Sequence, residues 1–110
     1  MSKVIQNLNI EVSNHARNLI TVLLEGRDVT NSKIFTGSKW VLKFDEFTTQ
    51  DDDLDVFILM NGDPGVDASI KVSGIGLAPP ETSDEKTFGP NSFAFYSKEI
   101  KTTDNGNENV

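Results

Sequence analysis

Leu54-Asp55-Val56-Phe57-Ile58-Leu59-Met60 runs into Asn61-Gly62-Asp63-Pro64-Gly65, and that turn into Val66-Asp67-Ala68-Ser69-Ile70-Lys71-Val72-Ser73. The last run alternates apolar and polar residues without a fault. Successive strand side chains point to opposite sides, so this is the rhythm of a strand with one face in a core. The first run keeps Leu54, Val56, Ile58 and Met60 in phase but sets Phe57 and Leu59 between them, and so reads as a strand covered on both faces. Asn and Gly accept positive φ and Pro presets its own, which makes residues 61–65 the strongest turn signal in the chain. The stretch 54–73 is therefore predicted to be a β-hairpin.

The same period extends both ways. Val4, Leu8, Ile10 and Val12 alternate with polar neighbours, with Ile5 and Gln6 as exceptions. Ile20, Val22 and Leu24 share one face, Trp40, Leu42 and Phe44 another, and Phe93 and Phe95 continue the theme. Turns are expected at residues 13–18, 26–28 and 36–38. Gly74 and Gly76 should break or bulge a strand, and the segment from Ala78 to Lys86 reads as a polar loop. No window has helical periodicity with caps. About six or seven short strands favour an all-β, single-domain antiparallel β-sandwich, immunoglobulin-like or jelly-roll-like, with a small β-barrel as the alternative. One domain over 1–101 is expected, followed by a disordered polar tail over 102–110.

With 110 residues and 36% apolar content the chain can bury a core without staples. It has no cysteine, which removes thiolate chemistry and Cys-ligated metals. Gln6 and Asn7 interrupt any stretch resembling a signal peptide, and no window reaches the roughly 18 apolar residues of a membrane span. A cytoplasmic, soluble protein is the expectation, with membrane binding disfavoured.

Charge is the other strong feature. Of the chain's net charge of −7, the segment between Phe44 and Ile70 supplies eight carboxylates and no Lys or Arg: Asp45, Glu46, Asp51, Asp52, Asp53, Asp55, Asp63 and Asp67. Such a region repels nucleic-acid phosphate and attracts cations or basic surfaces. Asp51, Asp53 and Asp55 open like an EF-hand loop, but Val56 and Gly62 stand where Gly and Glu are needed. Asp51–Asp53 precede the strand 54–60 and Asn61, Asp63 and Asp67 follow it, on the order of 20 Å apart, so the two clusters cannot share an ion. No metal or cofactor is expected.

Catalysis has little to stand on. His15 is the single histidine and sits in a turn. No serine has a nucleophile-elbow context, and Gly74-Ile75-Gly76 precedes no helix. Trp40, Phe47, Phe88 and Tyr96 are the aromatics that could stack on a ligand, with Tyr96 expected to point outward. The residues carry no family motif, and a likeness to small β-sandwiches in general implies no function.

The expected function is a non-enzymatic β-sandwich interaction module. It would bind a protein partner, with a basic one suiting its charge, through an edge strand, loop tips or its acidic end. Homo-oligomerisation is left open. The alternatives are a carbohydrate- or membrane-lipid-recognition domain and a calcium-dependent binding module. The binding residues this reading selects are Asp51, Asp52, Asp53, Asp55, Asp63, Asp67 and Tyr96.

The crowded carboxylates yield a direct test. Asp51, Asp52, Asp53 and Asp55 repel one another by on the order of 1 kcal/mol together when solvated, so sodium chloride should raise the melting temperature modestly. Calcium chloride at matched ionic strength should add nothing more. A calcium-specific rise of several degrees, abolished by Asp53→Asn, would establish a metal site instead.

Overall fold

The computed structural model describes residues 2–103. Among them every strand pairing is antiparallel. Strands are numbered in chain order. The first sheet has the order β4 (Ile34–Phe35), β5 (Lys39–Thr48), β1 (Val4–Ser13), β7 (Asp67–Ile75), β9 (Glu81–Thr87). The second has the order β3 (Arg27–Asp28), β2 (Ala16–Leu24), β6 (Asp53–Gly62), β10 (Phe93–Thr102), β8 (Leu77–Ala78). No described strand pair joins the sheets, so the architecture is a β-sandwich and not a closed barrel.

The core is the layer between the sheets. Ile5, Leu8, Ile10 and Val12 of β1 and Ala68, Ile70 and Val72 of β7 enter it from one side. Leu19, Val22 and Leu24 of β2, Leu54, Val56, Ile58 and Met60 of β6, and Ala94, Tyr96 and Ile100 of β10 enter from the other. Each fully buried Leu or Ile contributes about 1.5–3 kcal/mol. An exposed pair such as Lys71–Glu81, at 4.0 Å, is worth at most about 1 kcal/mol. The apolar layer therefore decides the fold.

The expected hairpin over 54–73 does not form. Its two runs are β6 and β7, which lie in different sheets: β6 pairs with β2 and β10, β7 with β1 and β9. The turn signal is real, with Gly65 at φ +83°, but the chain crosses the core there instead of folding back in plane. Gly65 N–H donates to the Phe88 carbonyl and Phe88 N–H to the Val66 carbonyl, both near 3 Å. A short loop spans the roughly 10 Å between packed sheets as readily as it closes a hairpin, so turn chemistry alone does not choose.

Two faces are reassigned by bulges. The exceptions at Ile5 and Gln6 arise because β1 shifts register against β7 between Gln6 and Asn9, where Asn7 takes φ +53°. The extra residue flips the phase, so Ile5 is buried and Val4 is not. In β2 the register against β6 shifts twice, between Ala16 and Asn18 and between Leu19 and Thr21. Leu19 thus joins Val22 and Leu24 in the core, while Ile20 is exposed.

Three further expectations are corrected. The segment read as a polar loop contains β9, whose Glu-Thr-Ser-Asp-Glu-Lys-Thr is polar on both faces because it forms the margin of its sheet. Strand β10 continues through Thr102, and Thr103 N–H bonds the Gly76 carbonyl at 2.9 Å, so order extends into the expected tail. The rest of that segment, 104–110, lies outside the described residues. Finally, β6 is covered on one face only: Phe57 and Leu59 remain half-buried.

Gly62 is required for close approach and not for turn geometry. A Cβ there would lie 2.5 Å from a ring carbon of Phe88 and 2.7 Å from the His15 carbonyl oxygen. Gly62→Ala should lower stability by about 1–3 kcal/mol through overpacking, seen as a lower urea midpoint at unchanged m-value.

Candidate interaction surface

Strand β6 separates the two acidic groups, as its ten residues run from Asp53 to Gly62. At the far end Asp63 forms an ion pair with Arg17, and Asp67 accepts the Thr87 hydroxyl. Both are exposed and already partnered. At the near end Asp51, Asp52, Asp53 and Asp55 do not act alike. The Asp52 carbonyl accepts Thr102 N–H at 3.0 Å and the Thr102 hydroxyl at 2.6 Å, tying β6 to β10. Asp51 accepts the Asp53 N–H at 3.3 Å.

Glu25 completes this end, a residue outside the acidic segment 45–67. It follows β2 at φ +55° and is buried. Its carboxylate accepts Gln50 N–H at 2.8 Å and Asp55 N–H at 2.7 Å, while its own N–H donates to the Asp55 carbonyl at 3.0 Å. Glu25 thus brackets the β2 end, the β5–β6 connection and β6. Carboxylate oxygens of Glu25, Asp53 and Asp55 converge within 4.8 Å of one another. Glu99 joins them, because it stands opposite Asp55 on β10.

The electrostatics are strained. Desolvation first, then Asp51 and Glu99, push the Asp53 carboxyl up to about 6. Desolvation, Glu25, Glu99 and Asp51 raise Asp55 as well. Among the described residues Asp53 Oδ1 is buried without a hydrogen-bond donor, and the Lys101 ammonium lies 3.8 Å from Asp53 Oδ2. Chemically, such a group draws in cations, whether a hard metal ion or the ammonium and guanidinium groups of another protein.

Beside the acids lies an apolar surface. The register aligns Leu23 with Phe57 and Ser97, and Thr21 with Leu59 and Phe95. The outward face of the second sheet therefore carries Leu23, Phe57, Leu59, Phe93 and Phe95 in one patch, continuous with Asp53, Asp55 and Glu99 along the same strands. Phe95 is 58% exposed and Phe93 46%. Phe57 stacks on Phe95 at 6.1 Å between centroids. The unbroken apolar run Val56–Met60 is the sequence signal of this surface, and a strand covered on both faces carries the same run.

Tyr96 is not part of the surface. It points inward and is buried, and its hydroxyl donates to Asp84 Oδ2 at 2.7 Å, beside the Lys98 ammonium at 2.8 Å. Phe47 and Phe88 are also buried, and the Trp40 indole N–H donates to the Ala16 carbonyl at 2.9 Å. The four aromatics of which the ligand-recognition alternative needed at least one exposed are thus core or core margin. His15 Nδ1 lies 3.3 Å from Ser13 Oγ, which already accepts the Ser69 N–H. No helix among the described residues is long and apolar enough to cross a membrane.

Compared with known proteins, the chain matches no protein-family model, no curated protein and no solved structure.

The raised carboxyls set a pH dependence. Between Asp53's ordinary 3.8 and its folded value of about 6, the folded state binds more protons than the unfolded chain, so stability falls as pH rises through that window. The melting temperature should rise from pH 7 to pH 5. It should turn down only at lower pH, where Asp84, held low by Lys98, and Glu11, held low by Asn9, lose their charge. Asp53→Asn should raise the value at pH 7 and flatten the slope. A melting temperature that drops steadily from pH 7 to pH 5 would contradict this strain.

Proposed function

We propose that the chain is a non-enzymatic interaction module that binds a protein partner through the outward face of its second sheet. The observation that carries the reading is the patch of Leu23, Phe57, Leu59, Phe93 and Phe95, which leaves aromatic side chains in water beside crowded carboxylates. Scattered exposed apolar residues need no explanation, but a contiguous patch bordered by one sign of charge has the composition of a docking surface. A second copy of the chain would bring its own Asp53, Asp55 and Glu99 to that border. A surface carrying apolar groups flanked by Lys or Arg complements both halves, and its cations would relieve the repulsion around Asp53 and Asp55.

The test uses immobilised protein and extract of the cells that make it. Wild type should retain a partner that elutes with salt. Phe95→Asp should reduce that retention at least about tenfold, as expected on losing an aromatic anchor near an interface centre. Lys43→Glu, on the exposed face of the first sheet, should leave it unchanged. Equal retention by wild type and a folded Phe95→Asp variant would overturn the proposal.

A further inference from the structure

We infer that the partner contributes an extended, basic strand that pairs with the open edge of β10. This rests on the proposed docking face and names what occupies its margin.

The backbone phase of β10 follows from hydrogen bonds at its two ends. Thr102 N–H donates toward β6, to the Asp52 carbonyl at 3.0 Å, and Gly62 N–H donates to the Ser92 carbonyl at 2.9 Å. In an antiparallel strand the N–H and C=O of one residue face the same neighbour, and alternate residues face opposite neighbours. Even-numbered residues of β10 therefore bond to β6, and odd-numbered ones turn their backbone groups to the other side. Both ends of that other side are occupied. Gly89 N–H bonds the Phe93 carbonyl and Thr103 N–H the Gly76 carbonyl, each at 2.9 Å, and β8 pairs at Ala78 with Lys101. Between them Phe95, Ser97 and Glu99 face no described strand. Among the described residues their N–H and C=O groups form a short unpaired ladder, a template for pairing.

Side chains define the occupant. Phe95, Ser97 and Glu99 are exposed on the outward face, so an added strand would extend the docking surface by one row. Glu99 stands in register with Asp55, and two pairs further along Asp53 stands opposite Lys101. A residue set opposite Glu99 must therefore be cationic. Opposite Phe95 a lysine stem also fits: the Lys86 ammonium already lies 5.9 Å from that ring's centroid, a contact an incoming lysine can replace. The chain's own residues 104–110 contain Asp104 and Glu108 and no Lys or Arg, so charge disfavours them as the occupant.

A short synthetic peptide of alternating lysine and valine is the probe, followed by amide hydrogen exchange and NMR shifts on the full chain. In the free protein the amides of Phe95, Ser97 and Glu99 should exchange much faster than those of Tyr96 and Lys98. Adding the peptide should slow exchange at those three at least about tenfold. N-methylating every second peptide amide should abolish the effect, and a glutamate–valine peptide should not produce it. Ser97→Pro removes an edge donor and none directed at β6, so it should prevent binding with the fold intact. Glu99→Lys should weaken binding at least about tenfold. The inference is overturned if the three amides are already protected in the free protein at every concentration, or if protection there is lost on deleting residues 104–110 or on dilution. It is equally overturned if the peptide binds the first sheet or tolerates N-methylation. Peptide pairing at β10 with extract retention insensitive to Phe95 would leave this inference standing and sink the docking face, so the two readings fail separately.

Discussion

Burial of one layer of aliphatic side chains between β1 and β6 is the constraint on which the rest of the molecule depends. These are the central strands of their sheets, each paired on both sides. Ile5, Leu8, Ile10 and Val12 come from one, and Leu54, Val56, Ile58 and Met60 from the other. Ile5 is out of step with Leu8, Ile10 and Val12 in the sequence, and β1 brings it into their row by admitting Asn7 in a left-handed conformation that shifts the phase. The bulge costs a ladder bond locally but saves Ile5 from water, and about 1.5–3 kcal/mol for a buried Ile outweighs roughly 1 kcal/mol for the bond.

That arrangement also creates the acidic end. Crossing between sheets after β5 brings Asp51, Asp53 and Asp55 to the start of β6, and pairing with β2 and β10 sets Glu25 and Glu99 against them. Glu25 is spent on backbone amides, a use in which a buried carboxylate is satisfied. Asp53 and Asp55 are not so well provided for, which is why their carboxyls sit high while Asp84, bonded to Lys98 and Tyr96, sits low. One fold thus holds a relaxed carboxylate and a strained group. The strained group is the one that gains from an outside cation.

The apolar outward face and the open stretch of β10 have a shared origin. β8 is two residues long and covers only the last part of β10, so the second sheet stops one strand short along Phe95–Glu99. Side chains of odd-numbered residues there face outward, next to Phe57 and Leu59 of β6. Edge and face are therefore one surface.

The sequence by itself determined the strand class, the sandwich, the buried face of β7 and the separation of the two acidic groups. Those follow from period-two alternation and strand length, which are local properties of the chain. It missed β9, since a marginal strand with polar residues on both sides carries no alternation to read. It put Ile20 on one face with Val22 and Leu24 and turned Tyr96 outward, because a one-residue bulge or the phase of a whole strand inverts such assignments. Only the tertiary structure decided that residues 61–66 cross between sheets, that Glu25 and Glu99 join Asp53 and Asp55, and that Phe57 and Leu59 stay uncovered. Each is a relation between residues far apart in sequence, set by which strands pair across the core, and neither composition nor spacing encodes that pairing.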